Sequence, residues 1–249
     1  MLAVDLKQAL DPVIFAREAL SFEPDGWQEQ ALRWNGKRLL LNCCRQSGKS
    51  TTAGILALHR GLFYPGSLIL LVSPSLRQSS ELFRKVIESF SLLKEQPKRT
   101  ENNKLSLTLE NKSRIVSLPS TEATVRGFSG ADLIIEDEAA RVSDELYYSI
   151  RPMLAVSGGR IILMSTPFGK RGHFFHEYTE GGEAWERIKI TAHDCPRITE
   201  EFLKEELAAL GEWWYKQEYF CEFTETVDSL FTYEQVTGAL SEDVEPLTF

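Results

Sequence analysis

Residues 41–54, LNCCRQSGKSTTAG, read as a phosphate-binding loop whose first glycine is missing. The spacing of such a loop is G-x-x-x-x-G-K-[ST]. Gly48, Lys49 and Ser50 fill its second half, and Cys43 stands where the first glycine is expected. The chemistry needs successive backbone N–H groups facing an anion, with a helix starting behind them. Gly48 lets the backbone approach phosphates, Lys49 reaches the β- and γ-phosphates, and the Ser50 hydroxyl can ligate Mg²⁺. Gln46, Ser47 and Thr51 complete the residues expected around ATP. Arg45 places a further charge near the γ-phosphate. Loss of the first glycine is tolerable if Cys43 can be accommodated at the turn.

Outward from the loop, strands and helices alternate. RLLLNC (38–43) is an apolar run that ends at the loop, and residues 49–62 read as a helix. SLILLVS (67–73) is a second buried strand between Pro65-Gly66 and Pro74. Residues 75–93 carry Leu76, Phe83, Val86, Ile87 and Phe90 at helical spacing. Residues 104–118 alternate around Asn111-Lys112, as an antiparallel hairpin does. ADLIIEDEAA (131–140) and RIILMSTP (160–167) are a third and a fourth buried strand. This alternation predicts an α/β P-loop fold of the RecA-like kind, a parallel sheet with helices on both faces. The core is expected over residues 1–169. Residues 170–249 are expected to form a smaller lid or linker subdomain, with two helices in 199–223 broken at Gly211. The acidic tail SEDVEPLTF reads as a linker or frayed end.

The 249 residues are 43% hydrophobic and 26% charged, enough for a sizeable core. The net charge of −8 excludes a protein that coats nucleic acid with its whole surface. Any DNA contact must be local or shared among copies. Cys43, Cys44, Cys195 and Cys221 show no C-x-x-C spacing, so neither a zinc site nor a redox pair is suggested. The adjacent pair is expected to pack as small apolar side chains, in keeping with a reducing cytoplasm. MLAVDLKQAL lacks the basic start of a signal peptide, and no apolar run approaches membrane-spanning length.

The strand LIIEDEAA supplies acids. In P-loop ATPases such a strand ends in an Asp that holds Mg²⁺, partly through water, followed by a Glu that takes a proton from the attacking water. Asp137 and Glu138 fit those places. Glu136-Asp137 is the other frame, less favoured because Glu136 still belongs to the strand. Ser165 and Thr166 end the fourth strand, which is expected between the loop strand and the acidic strand. They are candidate sensors of the γ-phosphate. Upstream, Gln28 in FEPDGWQEQAL can donate to and accept from the adenine N6/N7 edge. Trp27 is expected in the core.

CRQSGKST, LIIEDEA, MSTPFGKRGHF and FEPDGWQEQAL together resemble the ATPase domain of the large terminase subunit of tailed bacteriophages. That family often carries an Arg in the loop and lacks the first Gly. The resemblance covers most of the chain. It implies a motor that hydrolyses ATP to drive double-stranded DNA into a procapsid. It also implies a homo-oligomeric, pentameric ring docked on the portal protein, with a small terminase subunit as partner. The expected location is the host cytoplasm at the procapsid portal, not the mature virion. Relatives usually continue into a nuclease domain, for which no later carboxylate set is seen here. In such rings a neighbour's arginine often completes each site. Arg126, in TVRGFSGAD between the hairpin and the acidic strand and flanked by Gly127 and Gly130, is the favoured candidate over Arg141 and Arg151, with Arg45 acting from its own loop. Lys94, Lys98, Arg99 and Lys104 form a basic segment that could face DNA in a ring. Two other readings stand beside the motor. One is a helicase-like translocase, which would need a second RecA-like domain. The other is a nucleotide-binding assembly module without turnover, which should lack Lys49 or Glu138.

Overall fold

The structure, a computed structural model, describes residues 2–119, 127–225 and 231–239. Three helices precede the sheet: α1 (Leu2–Leu10), α2 (Pro12–Leu20) and α3 (Gly26–Arg33). The chain then runs through β1 (Arg38–Cys43), α4 (Lys49–Phe63), β2 (Leu68–Ser73) and α5 (Leu76–Leu92). Next come β3 (Arg99–Asn103), β4 (Ser106–Leu109), β5 (Arg114–Pro119), β6 (Leu133–Asp137) and α6 (Asp144–Ile150). β7 (Arg160–Ser165), α7 (Gly172–Thr179), β8 (Glu186–Ile190), α8 (Glu200–Phe220) and α9 (Tyr233–Ala239) follow.

The eight strands form one sheet in the order β3-β4-β5-β2-β6-β7-β1-β8. From β5 to β8 every pairing is parallel, and β3 and β4 extend that sheet in antiparallel pairs. Period-two alternation divides each central strand between two cores. Leu39, Leu41, Ile69, Leu71, Leu133, Ile135 and Ile162 join the face covered by α2 to α5. Leu40, Leu70, Val72, Ile134, Ile161 and Leu163 join the face covered by α6 and α7. Coverage on both faces explains why these strands read as unbroken apolar runs. α5 starts at Ser75, whose hydroxyl accepts from the Gln78 N–H, and buries Leu82, Phe83, Val86 and Phe90. Leu76, in its first turn, remains exposed.

The expected hairpin is present as β4 and β5, but two strands lie where none was expected. β3 falls in the basic segment ahead of the hairpin. β8 lies inside the span assigned to the smaller subdomain and pairs with β1, with Ile188 and Ile190 in the main core. Part of residues 170–249 is therefore continuous with the core sheet. A separate small cluster, Ala192, Leu203 and Tyr219, begins only after β8. α8 kinks at Gly211, whose backbone (φ 75°, ψ 165°) interrupts the helix at the expected place. The tail from residue 240 onward lies outside the described residues.

Candidate nucleotide site

β1, β7 and β6 end side by side, so their C-terminal ends bring the loop, Ser165 and Asp137 to one edge of the sheet. β7 lies between the loop strand and the acidic strand, as expected. The missing glycine has a structural explanation. Cys43 is the last residue of β1, fully buried and paired with Ile190, so no tight turn is made there. The turn comes later, with Gln46 (φ 57°) and Gly48 (φ 95°) in left-handed backbone. At Gly48 a Cβ would also meet Gln28 Nε2 at 2.9 Å. Only glycine relieves both the dihedral and the contact. α4 starts directly behind, at Lys49.

Two contacts join the loop to the acidic strand. Lys49 Nζ lies 2.9 Å from Glu138 Oε1, and Ser50 Oγ donates to Asp137 Oδ2 at 3.4 Å. Burial pulls the Lys49 ammonium toward neutrality, but the Glu138 and Asp137 carboxylates more than offset it and hold it above the usual lysine range. Burial pushes Asp137 up to about 6; Lys49 opposes this, and Glu138 adds to it. Glu138 sits just past β6 in left-handed backbone (φ 53°), its N–H donating to Asp137 Oδ1 at 3.0 Å. A loop that opens a helix, a buried lysine and a hydroxyl beside a carboxylate are the groups that a nucleotide with Mg²⁺ needs.

The frame of the acidic motif follows from strand alternation. Asp137 shares the face of Leu133 and Ile135, toward α4. Glu136 projects to the opposite face and is fully buried there, 3.0 Å from His173 Nε2. The pair is close without the alignment of a good hydrogen bond, and we read it as an ion pair. His173 Nδ1 is 3.2 Å from Asp144 Oδ1, and the ring stacks on Tyr147 at 4.3 Å. Burial alone would lower the His173 pKa, but the Glu136 charge and then Asp144 raise it above the ordinary 6.5. A raised folded pKa contributes stability that is complete below 6.5 and is lost as pH rises through the folded value. The melting temperature should therefore fall as the pH is raised above 6.5 and through the raised folded value. In a Glu136→Gln/His173→Phe double variant, which keeps a ring against Tyr147, that slope should flatten. An unchanged slope would place its origin elsewhere.

The remaining sequence candidates are distributed as follows. Gln28 is buried, accepts the Asp25 N–H through Oε1 at 2.9 Å, and lies against the loop at Gly48. Trp27 is in the core. Ser47 is buried, and Thr51 donates its N–H to Gly48 O within the first turn of α4. Ser165 and Thr166 are buried at the end of β7, where the Ser165 hydroxyl donates to Thr166 O. Arg45 is exposed, with Nε 3.8 Å from Glu218 Oε2 on α8, so its own loop does not enclose it. Arg141 stacks on Phe168 at 3.9 Å and lies 4.0 Å from Glu138, within its own subunit. Arg151 pairs with Glu177 at 3.5 Å. Arg126 lies outside the described residues. Lys94, Lys98, Arg99 and Lys104 are exposed around β3, the sheet edge farthest from β8. The four cysteines are free and buried. Cys44 and Cys195 nevertheless touch, Sγ to Sγ at 3.8 Å, a proximity that spacing along the chain did not disclose. No helix among the described residues is long and apolar enough to cross a membrane.

Sequence reading missed Arg197. It holds Asp25 through both terminal guanidinium nitrogens, Nη1 at 2.9 Å and Nη2 at 2.6 Å, and Nη2 donates to Ser47 O at 3.1 Å. No motif marks it, because the contact joins segments far apart in the chain.

The sheet order, with a phosphate loop after β1 and paired acids after β6, defines a RecA-like P-loop α/β domain. The chain belongs to the family of large terminase subunits of the T4-like virus type, N-terminal part, whose profile matches residues 40–237. It is 27% identical to the large terminase subunit of Thermus phage G20c over 86% of this chain and 52% of that protein. The probable large terminase subunit of Enterobacteria phage P7 is 24% identical over 80% of this chain and 45% of that protein. The chain thus spans about half the length of the curated relatives it matches. Among solved structures, the large terminase ATPase domain of Thermus phage P74-26 superposes with a TM-score of 0.75 at 23% identity, covering 86% of this chain and all of that one. The HK97 bacteriophage large terminase gives 0.65 at 15% identity, over 84% of this chain and 47% of that one.

Proposed function

We propose that this chain is an ATP-hydrolysing motor domain that drives double-stranded DNA into a procapsid. The observation that carries this reading is the meeting of Lys49 with Glu138 and of Ser50 with Asp137 at the end of one parallel sheet. An inert binding module would have no need of a carboxylate held beside the loop lysine.

In the proposed cycle the loop N–H groups and Lys49 receive the phosphates. Lys49 then exchanges its contact with Glu138 for the β- and γ-phosphate oxygens. Glu138 is released to accept a proton from the attacking water. Ser50 and Asp137 would hold Mg²⁺, Asp137 partly through water; when bound, the ion neutralises charge on the phosphates. Ser165 and Thr166, at the end of β7 between the two motifs, are proposed to sense the γ-phosphate. Arg45 can act on the same group after leaving Glu218. ADP and ATP-γ-S are bound in solved large terminase structures from a thermophilic bacteriophage, which agrees with this assignment of cofactor.

The motor acts as a homo-oligomeric ring, proposed to be pentameric, on the portal protein with the small terminase subunit, in the cytoplasm of the infected host. Arg126 is proposed to complete the neighbouring subunit's site. Arg126→Ala should bind ATP and lose turnover by about 10³–10⁵-fold. Mixed with Lys49→Ala subunits under assembly conditions, it should recover part of its steady-state phosphate release. Absence of recovery in demonstrably mixed rings would remove Arg126 from that role.

DNA contact is assigned to the exposed basic edge at β3. Charge reversal at Lys98 and Arg99, with Lys104 as a third position, should weaken DNA binding and flatten its salt dependence. ATP binding should be spared, because this edge lies on the far side of the sheet from β1. Unchanged DNA affinity in a filter-binding titration would leave those residues as ordinary solvated charges.

A further inference from the structure

A cavity of about 170 Å³ lies at the opposite end of the sheet from the loop, where β6 and β7 begin and α4 ends. Its walls carry Arg33, Trp34, His59, Arg60, Tyr64 and Arg160. α4 spans the distance between the two places, with Lys49 as its first residue and Arg60 in its last turn. They stand about 16 Å apart along the helix axis.

The three arginines differ in what they already hold. Arg33 is fully engaged, with Nε and Nη2 donating to Asp11 and Nη1 to Glu29. Arg60 is partly engaged. Its Nη2 reaches Asp132 Oδ1 at 3.4 Å, and its guanidinium carbon lies 3.7 Å from the centre of the Tyr64 ring. Its Nε is buried and has no hydrogen-bond partner. Arg160 is half-buried and pairs with no carboxylate among the described residues; its Nη1 donates to Trp34 O at 3.5 Å. The Trp34 Nε1 is also buried without a partner. Burial, and then the Arg60 charge, hold the Arg160 pKa below the usual arginine range. Two guanidinium groups thus repel one another at a cavity that leaves buried donors unmet.

Native proteins rarely keep a buried N–H unmet unless a water or an ion accepts from it. Water can accept from these donors, but only an anion also offsets the repulsion between Arg60 and Arg160. Guanidinium groups favour carboxylate and phosphate oxygens. Donors on three separate segments suit a tetrahedral ion with four oxygens better than a planar carboxylate with two. The volume holds several waters of about 30 Å³ each, room enough for one such ion.

We propose that this cavity is a binding site for a single phosphate-class oxyanion, held between Arg60 and Arg160 and separate from the nucleotide loop. The ion would join the end of α4 to the start of β7. The site does not depend on the nucleotide reading above.

The test is isothermal titration of the full chain with orthophosphate in Lys49→Ala, whose loop has lost its phosphate-facing charge, and in Lys49→Ala/Arg160→Met. Lys49→Ala should still bind one phosphate. Adding Arg160→Met should weaken it by at least about tenfold, the scale of a lost charged hydrogen bond. Lack of binding in Lys49→Ala, or equal binding in both chains, would overturn the proposal. Melting of the parent chain and of Arg160→Met, in phosphate against chloride at matched ionic strength, gives a second readout that needs no Lys49→Ala chain. Effects of phosphate at the loop or on hydration are common to both chains. The parent should gain several degrees more than Arg160→Met; equal gains would overturn the proposal. ADP affinity should be the same in the parent and in Arg160→Met. A loss of ADP affinity matching that of phosphate would place the effect at the loop and overturn the separate site.

Discussion

Glu138→Gln is expected to keep ATP bound and to lower phosphate release by about 10²–10⁴-fold, the usual contribution of a general base. Glutamine preserves the shape of the side chain and cannot accept the proton. The geometry adds a second expectation. Glu138 holds the Lys49 ammonium at 2.9 Å, and a neutral amide competes for it less strongly than a carboxylate. ATP affinity should therefore be equal to or tighter than in the parent chain. Removal of one negative charge beside the phosphates acts in the same direction. Phosphate release and nucleotide titration on the same preparation measure both effects. Near-normal turnover would mean that the base lies elsewhere. Glu136 is not the substitute, because it faces the opposite side of the sheet and pairs with His173.

Lys49→Ala should lose hydrolysis to a comparable extent, by at least about 10²-fold, since it removes the charge placed to meet the β- and γ-phosphates. Unlike Glu138→Gln, it should also weaken nucleotide binding. It further leaves Asp137 and Glu138 without their shared cation. Asp137 is already pushed up to about 6 by burial despite Lys49, so its charged form becomes harder to keep once the lysine is gone. At neutral pH the variant should melt at a lower temperature than the parent chain. Adding Asp137→Asn should restore part of that loss without restoring activity. Calorimetric melting separates the two consequences: a variant that is inactive but melts like the parent chain would show that Lys49 contributes nothing to holding the acids together.

The loop, the acidic strand and the four central strands were legible in the chain because each is a local pattern. Apolar runs of strand length, bounded by Pro, Gly or the loop, need no knowledge of their neighbours. The helix break at Gly211 was legible for the same reason, as were the positions of Gln28 and Ser165 relative to their motifs. The choice between Glu136 and Asp137 was less secure, since three successive acids offer two frames. Alternation across the sheet separates them only when the covered face of each side is known.

What the chain did not disclose are pairings between distant segments. β3 and β8 are five-residue edge strands with polar positions, and each is a strand because a neighbour offers hydrogen bonds. The burial of Cys43, which explains the absent glycine, depends on β8 closing over β1. Cys44 meets Cys195 across 151 positions, and Arg197 meets Ser47 across 150. Sequence by itself determined the order of elements and the chemistry at the ends of β1 and β6, because backbone periodicity and residue type are properties of short stretches. Only the tertiary structure decided which side of the sheet each acid faces, where the loop turns, and which arginine stands over it. Those are properties of strand order and register, which long-range contacts set after the local elements exist.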